Sequence, residues 1–178
     1  MIRFVHLATV AAVAIARPVL AALPVGAAAP DFATQGAMAG KTFPFSLAQA
    51  LKKGPVVLYF FPKAFTTGCT IETKAFADAS DDFRKAGAQI VGVAADPIED
   101  LQRFSTEACR SKFPVAVASA KMIADYDVAL PLMPRSNRTS FVIARNGKIA
   151  YMHSEMKPDG HITGTLAAVR ALKGAKGK

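Results

Sequence analysis

Two kinds of apolar pattern alternate along the chain. One is the short uninterrupted run, and the other is a longer stretch in which apolar residues return every three or four positions. Val56-Val57-Leu58-Tyr59-Phe60-Phe61 is the clearest run. With no polar alternation, it predicts a strand buried on both faces at the centre of a sheet. Thr70 to Ala86, with Ile71, Phe76, Ala79 and Phe83 at mixed spacing, predicts an amphipathic helix closed by Gly87. Gln89 to Ala95 is a second buried strand. Asp96-Pro97 then supplies a cap and a first-turn proline for a helix to about Cys109. Strand, helix, strand in this order predicts a parallel pair with a right-handed crossover.

The remaining stretches are shorter. Residues 33 to 46 read as loop, punctuated by Gly36, Gly40 and Pro44, and Ser46 caps a short helix over Leu47 to Lys52 that Gly54-Pro55 ends. Phe113 to Ala118 suggests a short strand and Lys121 to Tyr126 a short helix, while Pro131 and Pro134 frame a loop. Thr139 to Arg145 and Lys148 to His153 form a hairpin about Asn146-Gly147. Asp159 or Gly160 opens a final helix through Lys173, with Ile162, Leu166, Val169 and Leu172 on one face. The sum is an α/β chain with a mixed central sheet and helices on both faces.

The 178 residues suit one domain with a sizeable core. Residues 1–22 stand apart: Arg3 gives a positive start, Phe4 to Ala16 is largely apolar, and Val19-Leu20-Ala21-Ala22 offers small residues for cleavage. That pattern predicts a cleaved signal peptide and an exported, periplasmic protein. A retained N-terminal membrane anchor is the alternative, less favoured because the run is short for a span. The domain is then 23–173, with 174–178 a disordered basic tail. Without Arg3 and Arg17 the formal charge of +9 becomes +7, and its lysines are scattered. No basic helix or RNA-binding aromatic motif accompanies them, so no nucleic-acid partner is expected.

Cys69 carries the candidate chemistry. It follows the central strand and the polar residues Thr66, Thr67 and Gly68, where a helix begins. Unpaired N–H groups and the positive end of the helix dipole favour an anion there, and the thiolate is the nucleophilic form of cysteine. The plain alternative is a buried apolar filler. His153 and His161 have no ligand spacing with each other or with either cysteine, so no metal site is expected. No cofactor is expected either.

Pro62-Lys63-Ala64-Phe65-Thr66-Thr67-Gly68-Cys69 matches PxxxTxxC. This is similar to the active-site motif of the peroxiredoxins, and the wider FPKxxTxGCTxE resembles the bacterioferritin comigratory protein (PrxQ) branch of the AhpC/TSA family. Val25 to Phe32 resembles the family's VGxxAPDF opening, and the likeness extends to about Leu172. It implies a thioredoxin-like fold and a thiol peroxidase acting on hydrogen peroxide, with organic hydroperoxides as further substrates. In that reading Cys69 is peroxidatic and Thr66 hydrogen-bonds the thiolate or peroxide. The Gly68 and Cys69 N–H groups hold the substrate, and Pro62 shields the site from bulk water. Arg138, in a segment resembling the family's R-T/S-x-F-x-I strand, supplies the cation beside the sulfur. Glu72 matches the glutamate of CTxE and reads as a support, a cap or a surface charge, and Arg135 as a surface residue of the loop.

Many members of the branch resolve the sulfenic acid with a cysteine five residues after the first, where this chain has Lys74. Cys109 is the remaining cysteine and the resolving candidate, which would form an intramolecular disulfide. The alternative is a one-cysteine enzyme reduced by an external thiol. The resemblance further implies a thioredoxin-like or other thiol reductant as partner, and a monomer. A thioredoxin-like disulfide oxidoreductase fits less well, because Thr66 occupies the first place of C-x-x-C. A non-catalytic binding protein of the same fold gives no reason for Thr66 and Arg138 to accompany Cys69.

Overall fold

The computed structural model describes residues 22–175. They form β1 (Ala33–Met38), β2 (Lys41–Ser46), α1 (Leu47–Lys53), β3 (Val56–Phe60), α2 (Thr67–Lys85) and β4 (Gln89–Ala94). There follow α3 (Ile98–Glu107), β5 (Val115–Val117), α4 (Ala120–Asp125), β6 (Thr139–Ile143), β7 (Ile149–Ser154) and α5 (His161–Ala175). All the strands share one sheet in the order β2-β1-β5-β4-β3-β6-β7. β3 runs parallel to β4 and β4 to β5, while β6 pairs antiparallel with β3 and β7. The expected mixed sheet is therefore present, with β3 in its interior between β4 and β6.

β3 lacks polar alternation because both its faces are covered. Val57, Tyr59 and Phe61 enter one core with Phe76 and Phe83 of α2, Leu101 and Phe104 of α3 and Val169 of α5. Val56, Leu58 and Phe60 enter the opposite core with Leu47 and Ala50 of α1, Met122 and Ile123 of α4, and Tyr126. Each fully buried side chain of this size stabilises the fold by roughly 1.5–3 kcal/mol relative to exposure. The Tyr59 ring stacks on Phe76 with centroids 4.5 Å apart. Gly92, opposite it on β4, leaves room for that ring, since a Cβ there would lie 2.5 Å from Tyr59 Cζ.

Several boundaries differ from the sequence reading. Residues 33 to 46 are not loop but the β1–β2 hairpin, turning at Ala39 and Gly40 with φ of 50° and 75°. Pro44 is tolerated because β2 is the sheet edge, where every other backbone N–H faces no neighbouring strand. α2 begins at Thr67, three residues early, and its buried face is Cys69, Glu72, Thr73, Phe76, Ala77, Ser80 and Phe83. Ile71, expected inside, is exposed. Polar Glu72 and Thr73 take the inner face because partners await them there. Asp96 does not cap α3, whose N-cap is Pro97 with no side-chain cap bond. Ser46 does cap α1, accepting from the Gln49 N–H.

α5 opens at His161 and runs to Ala175, beyond Lys173. Residues 1–21, which carry almost all of the expected signal peptide, and residues 176–178 of the basic tail lie outside the described residues. Ala22 is described and packs into the second core. No helix among the described residues is long and apolar enough to cross a membrane.

Candidate active site

The site forms where β3 ends and α2 begins. Pro62 stops the strand, and the loop to Thr66 is latched from three sides. Ser136 Oγ donates to Phe61 O at 3.2 Å, Arg135 Nη1 donates to Pro62 O at 3.1 Å, and Ala64 N–H donates to Asp96 Oδ2 at 3.0 Å. Arg135 also lies 3.6 Å from Asp96 Oδ1. Asp96 and Arg135, read from sequence as a cap and a surface residue, are thus one ion pair that fixes the loop. Phe65 takes a left-handed φ of 63°, its ring edge-on to Phe104 and under the Arg103 guanidinium.

Thr66 is the N-cap of α2, which places Cys69 in its first turn. The Thr70 N–H to Thr66 O bond, 2.9 Å, opens the helical series. The N–H groups of Thr67, Gly68 and Cys69 precede it and so have no carbonyl within the helix. The Thr66 hydroxyl donates to Lys63 O at 2.9 Å and is exposed, so its proton is directed to the loop and not to the cysteine. Its oxygen keeps its acceptor capacity.

Cys69 is 1% exposed and its sulfur accepts from Arg138 Nη2 at 3.4 Å. Arg138 arrives immediately before β6, on the strand antiparallel to β3, which explains how residues so far apart in sequence meet. Its three nitrogens are each committed: Nε to Met156 O at 2.9 Å, Nη1 to Glu72 Oε2, and Nη2 to the sulfur. Gly68 permits this approach, since a Cβ there would sit 3.1 Å from Nη2.

Glu72 is neither a helix cap nor a surface charge. It is fully buried on the inner face of α2, one turn beyond Cys69, and pairs with Arg138. Burial pushes its carboxyl up to about 7 against the opposing pull of Arg138. His161, also fully buried, lies on its other side with Nδ1 3.6 Å from Glu72 Oε1. Sequence spacing held no signal for His161, because α5 and β7 bring it in from the far end of the chain. Its position as the first residue of α5, after Asp159-Gly160, was the one local clue.

Cys109 lies past the end of α3, fully buried, with its N–H donating to Phe104 O at 3.1 Å. Burial pushes its thiol far above the usual range. Arg110 and Ser111 follow with left-handed φ of 49° and 56°. Both cysteines are free and belong to the same core on one face of the sheet, with Tyr59 among them. That phenol is raised by burial first, then by Cys109, with smaller effects of Glu72 and Cys69. No group of metal-ligating residues occurs among the described residues.

The chain as a whole is similar to known proteins. The AhpC/TSA family model matches residues 25–152. A putative peroxiredoxin of Mycobacterium tuberculosis is 34% identical over 135 residues, 73% of this chain and 87% of the relative. The chloroplastic peroxiredoxin Q of Sedum lineare is 33% identical over 135 residues, 73% of this chain and 70% of the relative. The crystal structure of peroxidoxin BcpB from Mycobacterium tuberculosis superposes with a TM-score of 0.75 at 32% identity, covering 83% of this chain and 96% of that one. On the family match over most of the chain, these identities and the shared fold, the chain belongs to the AhpC/TSA family, as a peroxiredoxin of the Q-like branch.

Proposed function

We propose that this thiol peroxidase reduces hydrogen peroxide and alkyl hydroperoxides at Cys69. The observation that carries the reading is the Cys69 sulfur in the first turn of α2, in contact with the Arg138 guanidinium. The thiolate attacks one oxygen in line with the O–O bond, and the other oxygen leaves with the electron pair. Charge thus moves from sulfur to the leaving oxygen, and fixed donors beside it stabilise that movement. Arg138 Nη2 and the N–H groups of Gly68 and Cys69 are those donors, and the Thr66 oxygen accepts from the peroxide O–H. Pro62 closes the site against bulk water. Competition with a haem peroxidase for hydrogen peroxide tests this. Rapid consumption by the reduced protein that is lost in Cys69→Ser supports it, and consumption no faster than by free cysteine contradicts it.

In this reading Cys109 resolves the Cys69 sulfenic acid. Its membership of the same core supports the pairing, and disulfide geometry requires the first turn of α2 to unwind so that the two Cα atoms approach to about 4.4–6.8 Å. A thioredoxin-like protein or other thiol then reduces the disulfide. The proposal includes a monomer, exported to the periplasm by an N-terminal signal. Sedimentation of the reduced and oxidised protein tests the first point, and N-terminal sequencing of the protein from the periplasmic fraction tests the second.

A further inference from the structure

Behind Arg138, one buried polar atom has no partner. Arg138 occupies Glu72 Oε2, but Oε1 makes no hydrogen bond. Buried groups of this kind are costly and call for an explanation. The polar atom facing Oε1 is His161 Nδ1, at 3.6 Å. His161 is held from both sides: Nε2 lies 3.0 Å from Glu155 O and Nδ1 lies 2.8 Å from Ser140 Oγ. A carbonyl can only accept, so Nε2 carries the hydrogen. In the neutral ring Nδ1 then bears one lone pair, which faces both the Ser140 hydroxyl and Oε1 and can take a proton from either. Two acceptors, Oε1 and Nδ1, therefore face each other, and a proton between them relieves the conflict.

Charge leads to the same place. Cys69, Arg138, Glu72 and His161 are 1%, 4%, 0% and 0% exposed. With Cys69 as thiolate, Glu72 ionised and His161 neutral, the cluster holds two anions against one cation. A net charge this deeply buried is expensive. One proton on the Glu72–His161 pair brings the cluster to neutrality. The other titratable groups packed here do not supply it. The Tyr59 hydroxyl, from β3, is bonded to Thr73 Oγ1, and His153, from β7, lies edge-on to the His161 ring with its Nε2 turned to Asp159 O.

We propose that His161 is a positioning residue of the peroxidase reaction: with Glu72 it holds the proton that balances the Cys69 thiolate, so that the Arg138 charge stays directed at the sulfur. The inference rests on the thiolate reading above. Burial raises Glu72 to about 7 and lowers His161 to about 4, which favours this proton on Oε1, facing Nδ1. When Cys69 ionises, the proton it loses is matched by the one the pair gains. In the attack a sulfur electron pair forms the S–O bond, the O–O bond breaks, and hydroxide leaves. Sulfur is oxidised by two electrons and the peroxide is reduced by two. The neutral sulfenic acid no longer needs the balance, so the pair releases its proton as the hydroxide becomes water.

The test follows Cys69 alkylation, read by peptide mass mapping from pH 5 to 9, in the parent, His161→Phe, Glu72→Gln and the double variant. Circular dichroism reports folding. The parent is expected to show an inflection near pH 7 that follows the Glu72–His161 pair. His161→Phe is expected to move that inflection and change the rate at pH 7 about fivefold or more. Glu72→Gln is expected to remove it, and His161→Phe is then expected to add less than about twofold in that background, the signature of a coupled pair. An equal effect of His161→Phe in both backgrounds would make its role structural and overturn the proposal. Should a variant fail to fold, nitrogen NMR of the parent decides. An Nε2–H tautomer whose Nδ1 signal titrates near pH 7 is expected, and an Nδ1–H tautomer unchanged from pH 5 to 9 overturns it. Slow reaction of the parent with peroxide would instead strike the thiolate reading itself.

Discussion

The two cysteines occupy one core and differ in almost every property that matters to their chemistry. Cys69 sits in the first turn of α2, below unpaired N–H groups and against a guanidinium. Cys109 follows the last turn of α3, where the carbonyl end of the helix dipole faces it, and burial pushes its thiol up. Burial alone therefore does not separate them, since both are almost wholly inaccessible. What separates them is which end of a helix each one meets and whether a fixed cation stands opposite. In the proposed reaction the same residue type serves as nucleophile in one place, while burial favours the protonated thiol in the other.

Removing the cation should erase most of that contrast. Arg138→Met is expected to lower the second-order rate with hydrogen peroxide by about a hundredfold to a thousandfold, the usual cost of one donor to a developing charge. A thermal melt alongside measures how far the variant's unpaired Glu72 weakens the fold. A smaller intrusion sharpens the contrast. In Gly68→Ala the added methyl crowds Arg138 Nη2, and the expected outcome is a loss of about tenfold in rate with the melting temperature nearly unchanged, as for a displaced catalytic group. Cys109 reactivity should not respond to either change.

The loop that presents Cys69 can be loosened without touching the sulfur. Arg135→Gln removes the donor to Pro62 O and the partner of Asp96, and is expected to cost about 1 kcal/mol, or roughly 2–4 °C in melting temperature. The smallest effect is a pair of opposed pH slopes. Glu72 rises from 4.5 to about 7 on folding, so its contribution to stability is full below pH 4.5 and is lost as pH rises through 7. His161 falls from 6.5 to about 4, so its contribution is full above pH 6.5 and is lost as pH falls through 4. The two slopes oppose each other in the parent. Glu72→Gln should leave a melting temperature that rises with pH across this range, and His161→Phe one that falls.

Much of the fold was legible because β3, β4 and the β6–β7 hairpin are local patterns: two apolar runs and one Asn-Gly turn. The hairpin at residues 33 to 46 was not, since Gly36 and Pro44 read as breakers when an edge strand tolerates both. At the site, Cys69 and Arg138 were legible through a motif and a strand that resembled the family's. Asp96, Arg135, Glu72 and His161 were misread or passed over for a common reason. Each has its partner on another element, and a charged residue shows no burial in sequence unless that partner is also known. Ile71 is the converse case, an apolar residue at plausible helical spacing that the structure leaves exposed.

The most direct test is the intact mass and free-thiol count of the reduced protein after one equivalent of hydrogen peroxide, with Cys69→Ser and Cys109→Ser in parallel. The expected result is a monomer that has lost two hydrogens and both thiols, a Cys109→Ser variant oxidised at Cys69 alone, and a Cys69→Ser variant that stays reduced. Oxidation of Cys69→Ser at Cys109 as fast as the parent would contradict the assignment of the two cysteines.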